Sequence, residues 1–353
     1  MESIYYVISW LCHRRCVHCY DDRFRPYVRD ELARVVDEAE TSWARIADNL
    51  PDSMIYKDMA RPLDEGGFAT GVGRIILSGG EVLVDPIREP VLYPLLRRLS
   101  DKYRDTDGVR LVVQTTGDLV TEEILDALLD CGVWQISITG MDDFHVGMEG
   151  DKKQPVIERL TRWFEARGMA TTGRRSKGKA AIDETQPVYS FMGANPDEWI
   201  GAIWPRGRAW QNELSTASLA DNFCNAWSGG LNFLNHGWSG SEVSIEPNGN
   251  VYPCCMKTSA PLGNLTEEKL TDILDSLVGH PAIEAINAGH PERMGIEHGW
   301  DVGRFLEESR TETVSGQPYQ NLCIGCDRFH EQVLGPVLDD LRRARLAQRV
   351  AAE

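Results

Sequence analysis

No stretch of this chain approaches the roughly 20 consecutive apolar residues that a membrane span requires. Nor does a basic segment precede an apolar run at the N-terminus. Residues Met1 to Trp10 are short, aromatic and β-branched, which predicts a strand and argues against a secretory signal. Positive charge is scarce: 37 Lys and Arg against 54 Asp and Glu, a formal net charge of −17. So acidic a surface repels phosphate backbones and anionic lipid, so neither nucleic acid nor a membrane is expected as a partner. The one basic stretch, Gly173 to Lys179, is short and reads as a solvated loop. Internal repeats and low-complexity segments are missing too. These absences leave a globular chain of 353 residues, enough for one large α/β domain and a smaller one. The expected compartment is the cytoplasm, where thiols stay reduced.

That compartment gives nine cysteines a meaning. An odd count without an export signal argues against a disulfide framework. Eight fall into groups: Cys12, Cys16 and Cys19; Cys224; Cys254 and Cys255; Cys323 and Cys326. Cys131 stands apart in an apolar helical pattern and reads as a core residue.

Strand and helix patterns alternate up to about residue 215. Strands are expected at 4–9, 74–77, 109–114, 133–138 and 187–192. Amphipathic helices are expected at 30–50, around 91–99, and at 121–131 and 155–167. Repeated βα units with near-continuous apolar strands imply a parallel sheet with helices outside. The five or six units are too few for an eight-fold barrel. The fold class is therefore α/β, a partial (β/α)6 barrel over 1–215. Beyond it Trp, Asn, Gly and Cys become frequent. A hairpin over 243–252 turns on Asn248-Gly249. Residues 266–289 look helical, 290–320 irregular, and a terminal helix starts near 327. The expected domains are thus 1–215, 216–330 and a C-terminal helix over 331–353.

Cys12, Cys16 and Cys19 form Cys-x3-Cys-x2-Cys directly after the first strand. Three thiolates on one loop can hold three irons of a [4Fe–4S] cluster and leave the fourth open to a substrate. Zinc is the alternative, with His13 or His18 as fourth ligand. Ser78-Gly79-Gly80-Glu81 closes the second strand. The glycines allow close backbone approach, and Glu81 offers an acceptor for an ammonium group.

These two motifs resemble the radical S-adenosylmethionine (SAM) superfamily, whose signature is Cys-x3-Cys-x-aromatic-Cys followed by Gly-Gly-Glu. His18 holds the aromatic position. The resemblance implies that Cys12, Cys16 and Cys19 bind a SAM-cleaving [4Fe–4S] cluster, and that Gly79, Gly80 and Glu81 receive the SAM amino group. It also implies that the reduced cluster generates a 5′-deoxyadenosyl radical, with a flavodoxin- or ferredoxin-type protein as electron donor. Thr115 and Thr116 at the third strand end, Ser137 on the fourth, and His145 after Ile136 to Gly140 match the family in order. Pro205 to Ala209 resembles its stretch near the SAM adenine, which nominates Arg206 and Arg208. The family often has an arginine shortly after the histidine, but 146–155 contains none.

Gly249-x4-Cys254 and Cys323-x2-Cys326, preceded by Cys224, resemble the shortened SPASM domain called Twitch. By that resemblance Cys224, Cys254, Cys323 and Cys326 hold an auxiliary [4Fe–4S] cluster that passes electrons. Tetrahedral zinc is the alternative. Cys255 is then left over, as a buried apolar side chain or as a hydrogen-atom donor, and the pair could exchange roles.

Four functions follow. The first is two-electron oxidation of a small polyol or aminocyclitol, with the auxiliary cluster as electron acceptor. The second is epimerisation with Cys255 as catalytic hydrogen donor. The third is peptide modification of the sulfatase-maturase or crosslinking kind. It is lowered because the first cysteine, at residue 12, leaves no room for a leader-binding domain ahead of the barrel. The last is a non-enzymatic zinc or iron–sulfur protein. Tyr189, Trp204, Trp210 and Trp238 are candidate pocket residues with core packing as the default, and Asp142, Asp143 and His145 lie near a strand end.

Overall fold

The computed structural model describes residues 1–172, 186–194, 202–225 and 231–352. The basic stretch 173–179 lies outside them. The strands in chain order are β1 (Ser3–Val7), β2 (Ile55–Pro62), β3 (Phe68–Val72), β4 (Arg74–Ser78), β5 (Arg110–Thr115), β6 (Val133–Ile138), β7 (Ala170–Thr171), β8 (Val188–Phe191), β9 (Glu242–Ile245), β10 (Asn250–Tyr252) and β11 (Gly263–Asn264). One sheet takes nine of them, in the order β11-β10-β9-β1-β4-β5-β6-β8-β7. It is parallel from β9 to β7 and antiparallel at β9-β10-β11. The expected strands fall within about two residues of the observed ones.

Alternation along the strands separates two faces. Ile4, Tyr6, Ile75, Leu77, Leu111, Val113, Ile136 and Ile138 belong to the main core. That core is shared with the helices Arg29–Asn49, Tyr93–Tyr103, Glu122–Asp130 and Lys153–Ala166. The opposite face carries a second cluster of Tyr5, Val7, Trp10, Phe24, Ile76 and Val112. Register puts Ser244, Tyr5, Ile76, Val112 and Gln135 in one row across five strands. Nearer the C-terminal strand ends this face turns polar. Val7 is paired with Ser78, and Gln114 with Ser137 and Ser190. Gln135 Nε2 donates to Ser137 Oγ (3.1 Å) and Ser190 Oγ (3.2 Å), and Tyr5 and Ser78 share a hydroxyl hydrogen bond of 2.8 Å.

The largest departure from the sequence reading concerns the hairpin at 243–252. It turns where expected, yet β9 lies parallel to β1 and extends the barrel sheet across the division drawn at 215. β2 and β3 form a separate antiparallel hairpin that sequence reasoning missed. Gly67, Gly71 and Gly73 belong to that hairpin and its exit. The segment read as irregular contains the helix Val302–Glu308 and the two-stranded sheet of β12 (Arg310–Glu312) and β13 (Pro318–Gln320). The terminal helix begins earlier than expected, at Leu322. A π-helical turn, His330–Leu334, separates Leu322–Phe329 from Gly335–Ala352. Arg345 docks this last helix through a buried pair with Glu268 (2.7 Å). Cys131 is buried in the main core.

Candidate cluster and cofactor site

The loop after β1 carries Cys12, Cys16 and Cys19 to the sheet end where Gly79, Gly80, Thr115 and Thr116 also lie. Gly80 is required there by the loop itself. A Cβ on it would sit 2.3 Å from the Leu11 carbonyl oxygen and 2.8 Å from Cys12 Cβ. The close approach is thus to the chain's own cysteine loop, a role that the sequence reading had given to a ligand. The main-chain N–H of Glu81 donates to the same Leu11 carbonyl (2.9 Å).

Glu81 is 2% exposed, and its carboxylate is fully framed. Oε1 accepts from Thr115 Oγ1 (2.7 Å) and Leu83 N (3.0 Å). Oε2 accepts from Thr116 N (2.8 Å) and Thr116 Oγ1 (2.7 Å). Those four bonds hold the buried carboxylate in one place. Thr115 therefore acts on Glu81, and Ser137 is bonded to Gln135 and Ser190 on the polar strand ends.

Three further contacts lock the loop. Asp118 Oδ2 receives Arg14 Nη2 and meets His13 Nε2, both at 2.7 Å. Those contacts to opposite charge keep the Asp118 carboxyl below its ordinary range against the upward push of burial. Arg208, only 4% exposed, donates to the carbonyls of Cys16 (2.8 Å), Asp22 (3.0 Å) and Phe24 (2.7 Å). Gly207 has a φ of +50°, and a Cβ there would lie 2.6 Å from the Tyr20 backbone, so the turn carrying Arg208 presses directly on the loop. Finally, Lys257 Nζ lies 3.4 Å from both Asp21 and Glu246, and Arg23 joins the same two carboxylates at 2.7 Å. This buried network couples the cysteine loop to the β9–β10 hairpin.

Arg208 is thus a clamp on the cysteine loop. Arg208→Lys is expected to leave at least two of these carbonyls unpaired, since an ammonium cannot match a planar fork. Each costs about 1–3 kcal/mol. A thermal melt and iron per chain check this: both should drop, and wild-type values in the variant would refute the clamp.

Burial pushes the Cys12 thiol up to about 12 and Cys19 to about 11, and the three thiols lie within electrostatic reach of one another. Without a cation such a group stays protonated. A bound metal ion reverses the preference, because ligating thiols are deprotonated. Of the histidines of the zinc alternative, His13 is engaged elsewhere, whereas the buried Nδ1 of His18 has no hydrogen-bond partner among the described residues. His13 pairs with Asp118, and the His18 ring lies 4.5 Å from that of His145 and 5.4 Å from that of Phe144. Asp142, wholly buried, orients His145 through Nδ1 (2.8 Å) and accepts from Phe144 N, His145 N and Ala194 N. Asp143 instead pairs on the surface with Lys153.

The second cysteine set is also brought together. Cys326 feels Cys224, Cys254 and Cys323, and burial raises the Cys323, Cys254 and Cys326 thiols, Cys323 to about 12. Buried Asn321 caps the helix that carries two of them, accepting from Cys323 N (2.9 Å), which sets Cys323 and Cys326 one turn apart. Arg206 corrects the sequence reading. Its guanidinium is turned to this second set, donating to the Cys323 carbonyl (3.1 Å) and pairing with Asp327 (2.8 Å), and it lies near the Cys254, Cys323 and Cys326 thiols. Cys255 packs against the Tyr5–Val112 face beside Tyr20 and Trp134, and also touches the Trp204 cluster with Cys254. Burial holds its thiol well above the ordinary range. Of the aromatic candidates, Tyr189 stacks on Phe164 in the main core, while Trp204 meets Phe223, Trp210 meets Tyr319 and Trp238 meets Phe68 edge to face.

Two family models match the chain: the radical SAM superfamily over residues 6–172, and the SPASM iron–sulfur cluster-binding domain over residues 237–280. The chain carries a radical SAM domain followed by a SPASM domain. Its solved relatives include BtrN in complex with AdoMet and 2-DOIA (16% identity, 82% of this chain and 88% of that one, TM-score 0.42). They also include anSMEcpe with AdoMet and the Cp18Cys peptide (14%, 96% and 98%, 0.38), and Streptococcus suis SuiB bound to S-adenosylmethionine (11%, 84% and 67%, 0.35). No curated protein matches the chain. A radical SAM enzyme uses SAM and a [4Fe–4S] cluster, and the SPASM domain adds auxiliary iron–sulfur. The donor sets fit both: three gathered thiols on one loop, and a second set of four thiols. The match to the radical SAM model supports an enzyme over the non-enzymatic alternative. No helix among the described residues is long and apolar enough to cross a membrane.

Proposed function

We propose that this radical SAM enzyme oxidises a small hydroxyl-bearing substrate, a polyol or aminocyclitol, by two electrons, with the auxiliary cluster as electron acceptor. In this reading Cys12, Cys16 and Cys19 hold the SAM-binding cluster, and Cys224, Cys254, Cys323 and Cys326 hold the auxiliary one. The observation that carries it is the convergence of those four thiols into a closed set, which suits electron transfer and leaves no iron for substrate. When bound, the first cluster and SAM supply hydrogen-atom abstraction, fed by a flavodoxin- or ferredoxin-type donor.

The chain's own residues do the rest. In this reading Gly79, Gly80 and Glu81 receive the SAM ammonium, and Thr115 and Thr116 hold Glu81 in one place. The polar strand ends, Ser78, Gln114, Ser137 and Ser190, offer donors and acceptors that suit substrate hydroxyls. The row of Tyr5, Ile76 and Val112 below them closes the floor with apolar area.

One observation favours a second reading, radical epimerisation: Cys255 packs against that same face with its thiol kept protonated by burial. A protonated thiol is what hydrogen-atom donation requires. Cys255→Ala in deuterated buffer separates the two. Under oxidation, product forms at about the wild-type rate without solvent deuterium. Loss of product in the variant, with deuterium in the wild-type product, would replace oxidation by epimerisation.

A further inference from the structure

His330 is fully buried, 0% exposed, and neither ring nitrogen has a hydrogen-bond partner among the described residues. An imidazole in that state leaves at least one N–H donor unsatisfied unless a partner is supplied. Its position names the partner. The His330 main-chain N–H donates to the Cys326 carbonyl, one turn earlier on the same helix. Residues 323, 326 and 330 therefore share one helix face, with the Cβ atoms of neighbours about 5–6 Å apart. Arg206 lies close enough to act on His330 and on Cys254, Cys323 and Cys326 alike. A neutral imidazole is a donor at one nitrogen. The helix changes to its π-helical turn at this residue, and such turns are frequent at functional sites.

We propose that His330 donates an N–H hydrogen bond to a sulfur of the auxiliary cluster and thereby raises the cluster's reduction potential. Four thiols already complete the ligand set, so the imidazole serves as a donor to sulfur and not as a fifth ligand. Donors to cluster sulfur offset the charge added on reduction and favour the reduced form. In the oxidation reading this places the acceptor's affinity for the substrate electron partly under the control of His330. The inference rests on the reading that Cys224, Cys254, Cys323 and Cys326 hold a cluster.

The test uses full-length protein carrying Cys12→Ala, Cys16→Ala and Cys19→Ala, reconstituted without oxygen, so that only the auxiliary cluster remains. His330→Phe and His330→Gln are added to it, and the cluster is titrated by EPR against a redox mediator series. His330→Phe is expected to cut the reduced-to-oxidised ratio at a fixed potential about tenfold, about 59 mV for a one-electron couple. His330→Gln, which keeps an N–H donor, recovers part of it. An unchanged midpoint with about four irons retained overturns the proposal. The parent protein labelled with 15N-histidine supplies a readout that needs no folded variant. A weak nitrogen coupling with an exchangeable proton supports the hydrogen bond. A strong coupling makes His330 a ligand and no coupling makes it a bystander, and either overturns it. Should the parent protein hold no iron, the four-cysteine reading itself fails, and the iron count reports that separately.

Discussion

Replacing Cys12, Cys16 and Cys19 together by alanine is expected to lower iron from about eight to about four per chain and to abolish SAM cleavage. The three thiols sit on one loop whose path is set by Arg208, Asp118 and Gly80, so their removal deletes the ligands and leaves the scaffold. Far-ultraviolet circular dichroism should be unchanged, because the barrel's main core lies on the opposite face of the sheet. SAM cleavage should fall below detection, since the variant has no reduced cluster at the first site to supply the electron. Retention of about eight irons in the triple variant would sink this assignment. A fall from about four to about zero would mean that the C-terminal thiols carry no iron, and oxidation would lose its acceptor.

Cys323→Ala with Cys326→Ala is expected to remove the other four irons while leaving reductive SAM cleavage in place. The two thiols lie one turn apart on the helix Leu322–Phe329 and meet Cys254 and Cys224 across it. Losing both leaves two ligands, too few to hold a cluster. SAM would still be cleaved to 5′-deoxyadenosine at the first site, uncoupled from oxidised product. Product therefore falls by orders of magnitude, whereas 5′-deoxyadenosine does not. Product formation at the wild-type rate, with auxiliary iron absent, would refute the role of electron acceptor. Loss of cleavage as well would point instead to the Lys257–Asp21–Glu246 network, which ties this region to the first cysteine loop.

Much of this was readable in advance, because local chemistry carries its own spacing. The βα alternation, the Asn248-Gly249 turn and the order of Cys12, Gly-Gly-Glu and Thr115 along successive strand ends are short-range patterns. A parallel sheet then brings strand ends together wherever they stand in sequence. The placement of Arg206 was not readable. It and Arg208 share one short turn, and only packing against two different cysteine sets decides that one clamps the first loop while the other faces the second.

The chain's amino-acid order by itself determined the fold class, the two cysteine sets and the superfamily, since each follows from residue type and spacing along the chain. Tertiary structure alone decided that β9 completes the parallel sheet beside β1, that Gly80 yields to the cysteine loop, that Cys255 faces the barrel while Cys254 joins the distant thiols, and that the His330 ring is buried without a hydrogen-bond partner among the described residues. Each depends on what lies across a gap of up to 240 residues in the chain. A pairing at that distance is set by the summed burial of two surfaces, and no local pattern records it.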